Sequence, residues 1–487
     1  MSLTGRNVVS IDDLSNEEIE TVFRLADEMA ECPRRFWGRA TAKVLATLFY
    51  EPSTRTRLSF ESAMQRLAGG VISQWDINAS SAAKGETLAD TVRVLGKYAD
   101  AIVLRHPWEG AAHLAARYAG VPVLNAGDGG HEHPTQTLCD LYTLKKRHGT
   151  LQGLMVALCG DLQTGRTIHS LAFALVRFGA GVIFVPGNGK DVPDYVLRRL
   201  AREHNKPVQQ RGIGFLAALF GGQPLAPDGA PEVNAIYMTP TAPNQPALLQ
   251  EPGTRVEISR PDAQSLALYI TRFQKERDTG VGAGRRVGRY PAVTRDLLKM
   301  REFRNVSILH PLPRVHELSV EIDQDPRSAY FEQAGYGIPV RMALLHLLLG
   351  LDEPGPAPAW KPYERAHRGP TYARREGPRC QNERCVTHPT REPQNAPAVF
   401  ELIRDPEPLL RCLYCDQEIA PSLYGSTKDK LYYPIASLRR NRASVENVAF
   451  FRSAADAVES GYRQGGPRSR PHRPRKPAQR PEAAIKS

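Results

Sequence analysis

Residues 48–61 read Leu-Phe-Tyr-Glu-Pro-Ser-Thr-Arg-Thr-Arg-Leu-Ser-Phe-Glu. An apolar run at 44–50 predicts a buried strand that ends at Pro52, and a helix with one apolar face is predicted to follow the hydroxyl and arginine side chains. Strand, polar turn and helix in succession are typical of an α/β fold. Hydroxyls and backbone N–H groups at a helix start, with arginines beside them, predict an anion site, and phosphate matches the arginine fork best. The alternative is an ordinary helix N-cap flanked by two solvated arginines.

The same alternation of apolar strands and amphipathic helices recurs along the chain in two series. Predicted strands lie at 71–75, 101–104, 122–125, 155–159, 181–185, 233–238 and 266–271. Two such series predict fold class α/β, with two doubly wound lobes, parallel sheets and a cleft between the lobes. In open α/β sheets ligands bind beyond the carboxyl ends of the strands, so the residues that follow these strands are the first candidates for a site.

The bulk composition excludes several classes of protein. Of the 487 residues, 41% are hydrophobic and 24% are charged, as in a soluble globular protein, and no apolar run is long enough to span a membrane. The polar N-terminus lacks the apolar core of a signal peptide, so a cytoplasmic location is expected. The formal net charge is +12, and residues 461–487 alone carry eight Lys and Arg against one Glu. This distribution indicates a disordered basic tail rather than a nucleic-acid groove across the body.

Other segments place cationic, amide or hydroxyl groups at predicted loops and strand ends. They are Ser80 to Thr87, Leu104 to Pro107, His131 to Gln136, Gly160 to Ser170, Tyr269 to Arg277, and His310 to Arg314. The spacings of dinucleotide and Walker motifs are absent, and there is almost no candidate carboxylate base and no nucleophilic Cys or Ser elbow. The set predicts a site that binds polyanions and stabilises developing negative charge. The alternative interpretation of Lys84 is an exposed loop lysine, and that of His133 is a helix cap. A metal site at His131 and His133 is a third alternative, but no third ligand lies nearby in the sequence.

Four of the seven cysteines form a separate cluster. Cys380 and Cys385 are followed by Cys412 and Cys415, a spacing typical of a tetrahedral Zn(Cys)4 site in a reducing compartment. With all four positions filled by protein, one structural Zn²⁺ per chain is expected, and no organic cofactor. A redox cysteine pair is the alternative, but Cys412 and Cys415 lack the surrounding βαβ unit. A small C-terminal β-rich zinc domain therefore completes the predicted architecture.

In their order along the chain, these motifs resemble the aspartate carbamoyltransferase catalytic chain, over roughly 1–185 and 262–351. The matching segments are 53–57, 84–87, 105–107, 133–136, 160–162 with 166–170, 272–277 and 310–314. The His-Pro-Leu-Pro form of the last segment favours the aspartate enzyme over the ornithine enzyme, which has a cysteine there. The cysteine cluster resembles the zinc domain of the regulatory chain of the same enzyme. The nucleotide-binding domain of that chain has no counterpart, since only a linker precedes Cys380.

The resemblance implies a role for each matching residue. Carbamoyl phosphate is expected on Ser53, Thr54, Arg55, Thr56, Ser80, Lys84, Arg105, His133 and Gln136. Aspartate is expected on Lys84, Arg166, Arg272, Gln274 and the carbonyl of Leu312. The catalytic residues implied are Arg55, Thr56, Lys84, Arg105 and His133. Ser80 and Lys84 are expected to enter the active site of a neighbouring subunit, so the implied assembly is a homotrimer or a higher homo-oligomer.

The predicted boundaries follow from the motifs and from changes in composition. They are a carbamoyl-phosphate lobe at 1–134, an aspartate lobe at 135–335 with an insertion near 212–262, a returning helix at 336–351, a Pro-rich linker at 352–375, the zinc domain at 376–425, a small module at 430–464 and the basic tail at 465–487. Within the insertion, the segment ending at Thr239 partly echoes 269–272. Arg272 is preferred as the aspartate ligand because the matching residues 273–277 follow it.

The function implied by the resemblance is carbamoyl transfer from carbamoyl phosphate to L-aspartate, an early step of pyrimidine biosynthesis. Two alternatives remain. One is a carbamoyltransferase for another amino acid. The other is a catalytically degenerate homologue that binds nucleic acid through the zinc module and the tail. A membrane is not an expected partner. Nucleic acid is not an expected partner either, if the chain is a carbamoyltransferase.

Overall fold

In the computed structural model, the described residues are 2–74, 84–163, 165–187, 191–204, 209–210, 233–239, 267–270, 293–299, 306–314, 317–352, 360–373, 379–404, 408–438 and 447–465. Most of the predicted insertion at 212–262 lies outside them, as do 353–359 of the predicted linker and 466–487 of the predicted tail. Among the helices of the described part of the chain, none combines the length and the apolar character needed to cross a membrane.

The first lobe is built on a four-stranded parallel sheet with strand order β2-β1-β3-β4. Its strands are β1 (Val44–Phe49), β2 (Gly70–Gln74), β3 (Ala101–His106) and β4 (Val123–Asp128). Its helices are α1 (Asn16–Glu31), α2 (Thr54–Arg66), α3 (Leu88–Leu95) and α4 (Ala111–Tyr118). Strand β1 lies inside the sheet and is buried from its second residue to its last, as its continuous apolar sequence predicts.

The second lobe contains a six-stranded parallel sheet with order β10-β9-β8-β5-β6-β7. Its strands are β5 (Met155–Gly160), β6 (Gly181–Pro186), β7 (Gln209–Gln210), β8 (Ala235–Met238), β9 (Ala267–Ile270) and β10 (Ser307–Leu309). Its helices are α5 (Pro134–His148), α6 (Arg166–Arg177), α7 (Asp194–His204) and α8 (Arg295–Leu298). Alternate residues of β5 enter two different hydrophobic clusters, so this sheet is covered on both faces.

Helix α9 (Tyr330–Leu348) returns to the first lobe and packs against α1, α2 and α5. It is apolar on most sides, which predicts a buried helix, and its buried residues include Val340, Met342, Leu344, Leu345 and Leu348. The largest hydrophobic cluster contains side chains of α1, β1, α5, β5, α6 and α9, so one core extends through both lobes.

The C-terminal part is rich in short strands. One sheet has the order β11-β12-β13-β14 and another the order β17-β15-β16-β18. The strands are β11 (Thr371–Tyr372), β12 (Phe400–Arg404), β13 (Pro408–Cys412), β14 (Glu418–Ile419), β15 (Leu423–Ser426), β16 (Leu431–Pro434), β17 (Val448–Phe451) and β18 (Arg463–Gln464), with helix α10 (Ala454–Glu459). The predicted fold class, two parallel-sheet α/β lobes and a β-rich C-terminal region, is confirmed. The predicted domain boundaries stay predictions.

The chain divides into two compact units. The first comprises Met1–Ala366 together with Cys380–Ala398 and Cys412–Gln417, and the second comprises His367–Arg379, Val399–Arg411 and Glu418–Ser487. The two segments that carry the cysteine cluster, Cys380–Ala398 and Cys412–Gln417, therefore belong to the unit that contains both lobes. We call these two segments the cysteine loops.

Candidate active site

The hydroxyl and arginine motif lies where β1 ends and α2 begins. Ser53 is the N-cap of α2, but its side chain makes no capping hydrogen bond, and its hydroxyl donates to Thr56 Oγ1 at 3.0 Å instead. Thr56 is buried, whereas Thr54 and Arg55 are exposed at the helix start. The motif therefore opens the positive end of the helix toward solvent, which is the arrangement that favours an anion.

Arg105 lies in β3 next to Phe49 of β1, so the sheet register brings it beside the same helix start. Its guanidinium is buried, with 9% of the residue exposed. Nη1 donates to the Ala126 carbonyl at 3.1 Å, and Nη2 lies 2.9 Å from Glu51 Oε2. These contacts hold a cation at the carboxyl end of the first sheet, where the sequence predicted it.

Arg166, the first residue of α6, reaches the same place from the second lobe. Its Nη1 donates to the Gly129 carbonyl at 2.6 Å, and its Nη2 lies 3.4 Å from the same Glu51 Oε2. Glu51 thus joins the arginine predicted for carbamoyl phosphate to the arginine predicted for aspartate. The carboxylate offsets the repulsion of two buried guanidiniums, each of which is 9% exposed or less.

Sequence reasoning missed Glu51, although the residue is part of the quoted motif. The signal in the sequence is a carboxylate within a run of groups that bind anions. A carboxylate repels a bound anion, so it is unfavourable at this position unless it pairs with one of the arginines. The distance of 115 residues between Glu51 and Arg166 hid the pairing.

Gly127 provides the space in which the two guanidiniums lie. Its φ is +113°, a region that L side chains rarely adopt. A Cβ at this position would lie 3.0 Å from Cζ and Nη1 of Arg166 and 3.2 Å from Nη1 of Arg105. Both the backbone conformation and the close approach of the arginines therefore require glycine here.

His133 and Gln136 lie at the start of α5, which links the lobes. The buried His133 is the N-cap residue, and its Nδ1 accepts from the Gln136 backbone N–H at 3.3 Å. In the neutral ring, an accepting Nδ1 leaves the proton on Nε2, which can then donate to a carbonyl oxygen. His133 thus caps the helix and also presents a donor, so the two roles weighed from the sequence are compatible.

Asp140 lies one helical turn beyond Gln136 and was not predicted. Its Oδ1 accepts from Gln136 Nε2 and from Tyr269 Oη, each at 2.9 Å. Tyr269 belongs to β9, and its ring stacks on Tyr237 of β8 at a centroid distance of 4.0 Å. Asp140 therefore fixes the amide of Gln136 against the second sheet. The i, i+4 spacing of Gln and Asp was the signal in the sequence.

Burial raises the pKa of Asp140 from its usual value to about 7. Because the folded chain holds this proton more tightly than the unfolded chain, the group stabilises the fold at low pH, and that stability falls as pH rises from about 4 to about 7. We expect Asp140→Asn to remove this dependence. Relative to the variant, the wild type should lose about 2 kcal/mol of stability between pH 5 and pH 8. Thermal unfolding at both pH values measures this, and a constant difference in Tm would contradict it.

The predicted rigid turn at 310–314 follows β10. Leu312 has a φ of +54°, uncommon for a branched apolar residue, and its backbone N–H donates to His310 Nδ1 at 2.7 Å. The fully buried His310 ring is fixed at Nε2 by Glu317 Oε1 at 3.0 Å, and burial lowers its pKa. These contacts hold Leu312 in a strained backbone conformation, and conformations of this kind cluster at active sites and ligand clamps.

Four further residues were predicted for the site, and one of them is described. Lys84 is described and is exposed ahead of α3. Ser80, Arg272 and Gln274 lie outside the described residues.

The four clustered cysteines are buried, and none forms a disulfide. Their sulfur atoms all lie within 4.8 Å of one another, with 3.5 Å between Cys380 and Cys415 and 3.9 Å between Cys385 and Cys412. A tetrahedral ion with metal–sulfur bonds of about 2.3 Å places its ligands about 3.8 Å apart. The buried donor set therefore fits a metal ion. His388, a further side chain near these cysteines in sequence, is partly buried, and its Nδ1 contacts Thr390 Oγ1 at 2.9 Å.

Comparison with known proteins agrees with this geometry. Residues 6–146 match the carbamoyl-phosphate-binding domain of aspartate/ornithine carbamoyltransferases, and 267–348 match the Asp/Orn-binding domain of the same enzymes. The aspartate carbamoyltransferase catalytic subunit of Clostridium botulinum is 41% identical over 350 residues, which are 72% of this chain and 99% of that protein. The chain belongs to the aspartate carbamoyltransferase family. The catalytic subunit of Thermoplasma volcanium is 42% identical over 357 residues, again 72% of this chain and 99% of its own length.

Solved structures of this family have the same fold. The catalytic subunit of M. jannaschii aspartate transcarbamoylase aligns with a TM-score of 0.55 at 38% identity, over 72% of this chain and all of its own. The Trypanosoma cruzi enzyme in complex with N-(phosphonacetyl)-L-aspartic acid aligns with a TM-score of 0.55 at 33% identity, over 71% of this chain and 96% of its own. Residues 378–422 match the metal-binding domain of the aspartate carbamoyltransferase regulatory chain. The predicted family and the predicted fusion to a metal-binding domain are both confirmed.

Proposed function

We propose that the chain forms N-carbamoyl-L-aspartate and phosphate from carbamoyl phosphate and L-aspartate, as an aspartate carbamoyltransferase, at the site described above. The observation that carries the assignment of the site is the approach of Arg105 and Arg166 to one oxygen of Glu51. Cations from two lobes that meet at one point can hold two anionic substrates side by side. Membership of the family places the reaction at an early step of pyrimidine biosynthesis.

Carbamoyl phosphate would bind with its phosphate at the start of α2, on Ser53, Thr54, Arg55 and Thr56. Arg105, His133 and Gln136 would surround its carbamoyl end. The uncapped first turn of α2 and the donor that His133 presents support this placement. Aspartate would bind on the second lobe through Arg166 and the Leu312 carbonyl, with Arg272 and Gln274 completing its site.

The reaction needs little proton transfer by the protein. The neutral aspartate amine attacks the carbamoyl carbon, and the carbamoyl oxygen gains negative charge that Thr56, Arg105 and His133 stabilise. The carbon–oxygen bond to phosphate then breaks, and the departing phosphate takes the amine proton. Positioning of two anions and preorganised positive charge supply most of the rate enhancement.

A decisive test is a colorimetric carbamoyl-aspartate assay on the full chain, with aspartate and ornithine compared as acceptors. We expect turnover with aspartate and at least about a hundred-fold lower kcat/KM with ornithine, because Arg166 in the second lobe matches a carboxylate and not an ammonium group. Turnover with ornithine alone would favour a carbamoyltransferase for another acceptor. Absence of turnover with either, together with salt-dependent nucleic-acid binding, would favour the degenerate homologue.

The site is also proposed to be shared between subunits of a homotrimer in the cytoplasm, with Ser80 and Lys84 entering the neighbouring site. Four large apolar side chains of the first lobe are exposed, on α2, on the edge strand β2, on α3 and just after α3, which supports contact with a second copy. They are Leu58, Ile72, Val94 and Tyr98.

The metal of the cysteine loops is proposed to be one structural Zn²⁺ per chain. Thiolates prefer soft or borderline ions, and four protein ligands leave no open position for catalysis. When bound, the ion would cross-link the two loops through Cys380, Cys385, Cys412 and Cys415.

Replacing one ligand tests this proposal. We expect Cys412→Ser to lower zinc from about one to below about 0.2 per chain and to lower Tm, because metal binding and folding of the loops are linked. The matched control is Cys32→Ser, since Cys32 is exposed and outside the cluster. Elemental analysis after gel filtration gives the ratio. Full zinc retention in Cys412→Ser, or equal loss in both variants, would contradict the assignment.

A further inference from the structure

His131 lies two residues before His133 and is held between two carboxylates. Its Nδ1 is 3.1 Å from Asp128 Oδ2, and its Nε2 is 3.1 Å from Asp416 Oδ2. All three residues are buried. Because each ring nitrogen faces a carboxylate oxygen, these contacts favour the ring that is protonated on both nitrogens, which forms an ionic bridge between the two acids.

The two carboxylates belong to different parts of the fold. Asp128 ends β4, in the first lobe. Asp416 directly follows the metal ligand Cys415, and its backbone N–H donates to the Cys412 carbonyl at 3.0 Å in a turn with φ of +62° at Asp416. The position of the Asp416 side chain is therefore set by the turn that carries two of the four cysteines.

Asp416 also contacts a further charged side chain, which joins it to Glu132. Arg365 Nη2 donates to Asp416 Oδ2 at 2.8 Å and lies 3.5 Å from Glu132 Oε1. Glu132 in turn accepts from the hydroxyls of Ser10 at 2.6 Å and of Ser170 at 3.2 Å.

His131, Glu132 and Asp416 come close enough to resemble a second metal site. However, both nitrogens of the His131 ring already face carboxylates, and the Arg365 guanidinium lies against both Glu132 and Asp416. A buried ionic cluster accounts for these contacts without an ion.

The turn that His131 holds also supports the active site. The Ala126 carbonyl accepts from Arg105 and the Gly129 carbonyl accepts from Arg166. Within the turn, His131 N–H donates to the Asp128 carbonyl at 3.0 Å, and Glu132 N–H donates to Asp128 Oδ1 at 3.0 Å. Residues 126–133, which we call the support turn, thus carry two carbonyls that fix the arginines and end at His133.

A second set of contacts joins the cysteine loops to the same region. Glu109 N–H donates to the Arg384 carbonyl at 2.8 Å, and Val386 N–H donates to the Glu109 carbonyl at 2.9 Å. The Glu109 side chain accepts from the Gly130 N–H at 3.3 Å, inside the support turn. Each of the two loops therefore reaches the support turn, one through Asp416 and the other through Glu109.

We propose that Asp416 is a positioning residue for catalysis: through His131 it sets the support turn, so that the metal-bearing loops form part of the scaffold of the active site in their own chain. The inference rests on the proposed function and adds to it. The inference is that the cysteine loops help to align Arg105, Arg166 and His133. If the loops were only a structural module, replacing Asp416 would leave the kinetics unchanged.

The test compares Asp416→Asn with Tyr414→Phe in the full chain. Tyr414 lies in the same turn, and its hydroxyl accepts from Arg117 Nη1 at 2.7 Å, so its variant removes a contact of the loop with α4 without touching His131. We expect Asp416→Asn to weaken binding of N-(phosphonacetyl)-L-aspartate in calorimetry and to lower kcat/KM by about 10- to 100-fold, because small misplacements of catalytic groups have large effects. Metal content should stay at the wild-type value. Tyr414→Phe should change both quantities less than about three-fold.

His131→Gln supplies the second arm, because it breaks the bridge without altering the cysteine loops. It should weaken analogue binding as Asp416→Asn does. The double variant should lose clearly less than the sum of the two single losses, since both variants remove the same contact between His131 and Asp416, and Asp416→Asn additionally alters the contact with Arg365. Wild-type turnover is measured first, so that its absence counts against the proposed function alone. With an active wild type, normal analogue affinity in His131→Gln, or additive losses in the double variant, would overturn the positioning role even if Asp416→Asn lost its metal.

Discussion

Arg105→Ala is expected to form carbamoyl aspartate about a thousand-fold more slowly than the wild type, the upper end of the loss seen when a preorganised donor to a developing oxyanion is removed. The side chain is buried and fixed by the Ala126 carbonyl and by Glu51, so no solvent molecule reproduces its charge or its fork. Truncation also removes the 2.9 Å contact of Glu51 with Arg105, while its longer contact with Arg166 stays. Repulsion from this carboxylate should further weaken binding of an anionic substrate.

Steady-state kinetics with circular dichroism separate this loss from unfolding. Arg105→Lys keeps the charge and loses the bidentate fork, so an intermediate loss of about a hundred-fold is expected. Arg147→Ala is the matched control. Arg147 lies in the last turn of α5, at the opposite end from His133, and pairs with Glu332. Wild-type activity in Arg105→Ala, or an equal loss in Arg147→Ala, would remove Arg105 from the site.

Gly127→Ala is expected to lower kcat/KM by about a hundred-fold, through displacement of both arginines. The added Cβ would meet Cζ and Nη1 of Arg166 at 3.0 Å and Nη1 of Arg105 at 3.2 Å, closer than ordinary contact. The guanidiniums would have to move by some tenths of an ångström, and positioning errors of this kind are costly for catalysis. Because the aspartate-side arginine is nearest, the rise in KM should be larger for aspartate than for carbamoyl phosphate.

Gly120→Ala is the matched control for this prediction. Gly120 also has a positive φ, +76°, but an added Cβ would meet nothing within 4 Å. It should show the backbone cost of about 1 kcal/mol in stability and ordinary kinetics. Equal kinetic losses in Gly127→Ala and Gly120→Ala would show that strain, and not crowding of the arginines, explains the effect.

The sequence predicted well those parts of the site that depend on local pattern. The strand, turn and helix around Ser53 and the place of Arg105 at a strand end follow from the periodicity of the chain and from the geometry of parallel sheets. The cysteine cluster followed from the Cys spacing alone. In each case, the signal lies within a few residues of the feature that it predicts.

The unpredicted parts are contacts between distant segments. Glu51 with Arg166, Asp140 with Tyr269, and His131 with Asp416 are separated by 115, 129 and 285 residues. Each pair depends on the packing of one lobe or loop against another, which a single sequence does not encode in any local spacing. His131 shows the effect clearly, because its spacing from His133 suggested a metal ligand, while the fold places it between two carboxylates.

Arginines of the two lobes meet at Glu51, where we expect them to hold two anionic substrates. A crystal structure of the full chain with N-(phosphonacetyl)-L-aspartate tests this expectation most directly. We predict the phosphonate on Ser53 to Thr56 and Arg105, and the carboxylates of the aspartyl part on Arg166 across the cleft. An analogue bound elsewhere, with Arg105 and Arg166 making no contact to it, would show that these arginines do not form the substrate site.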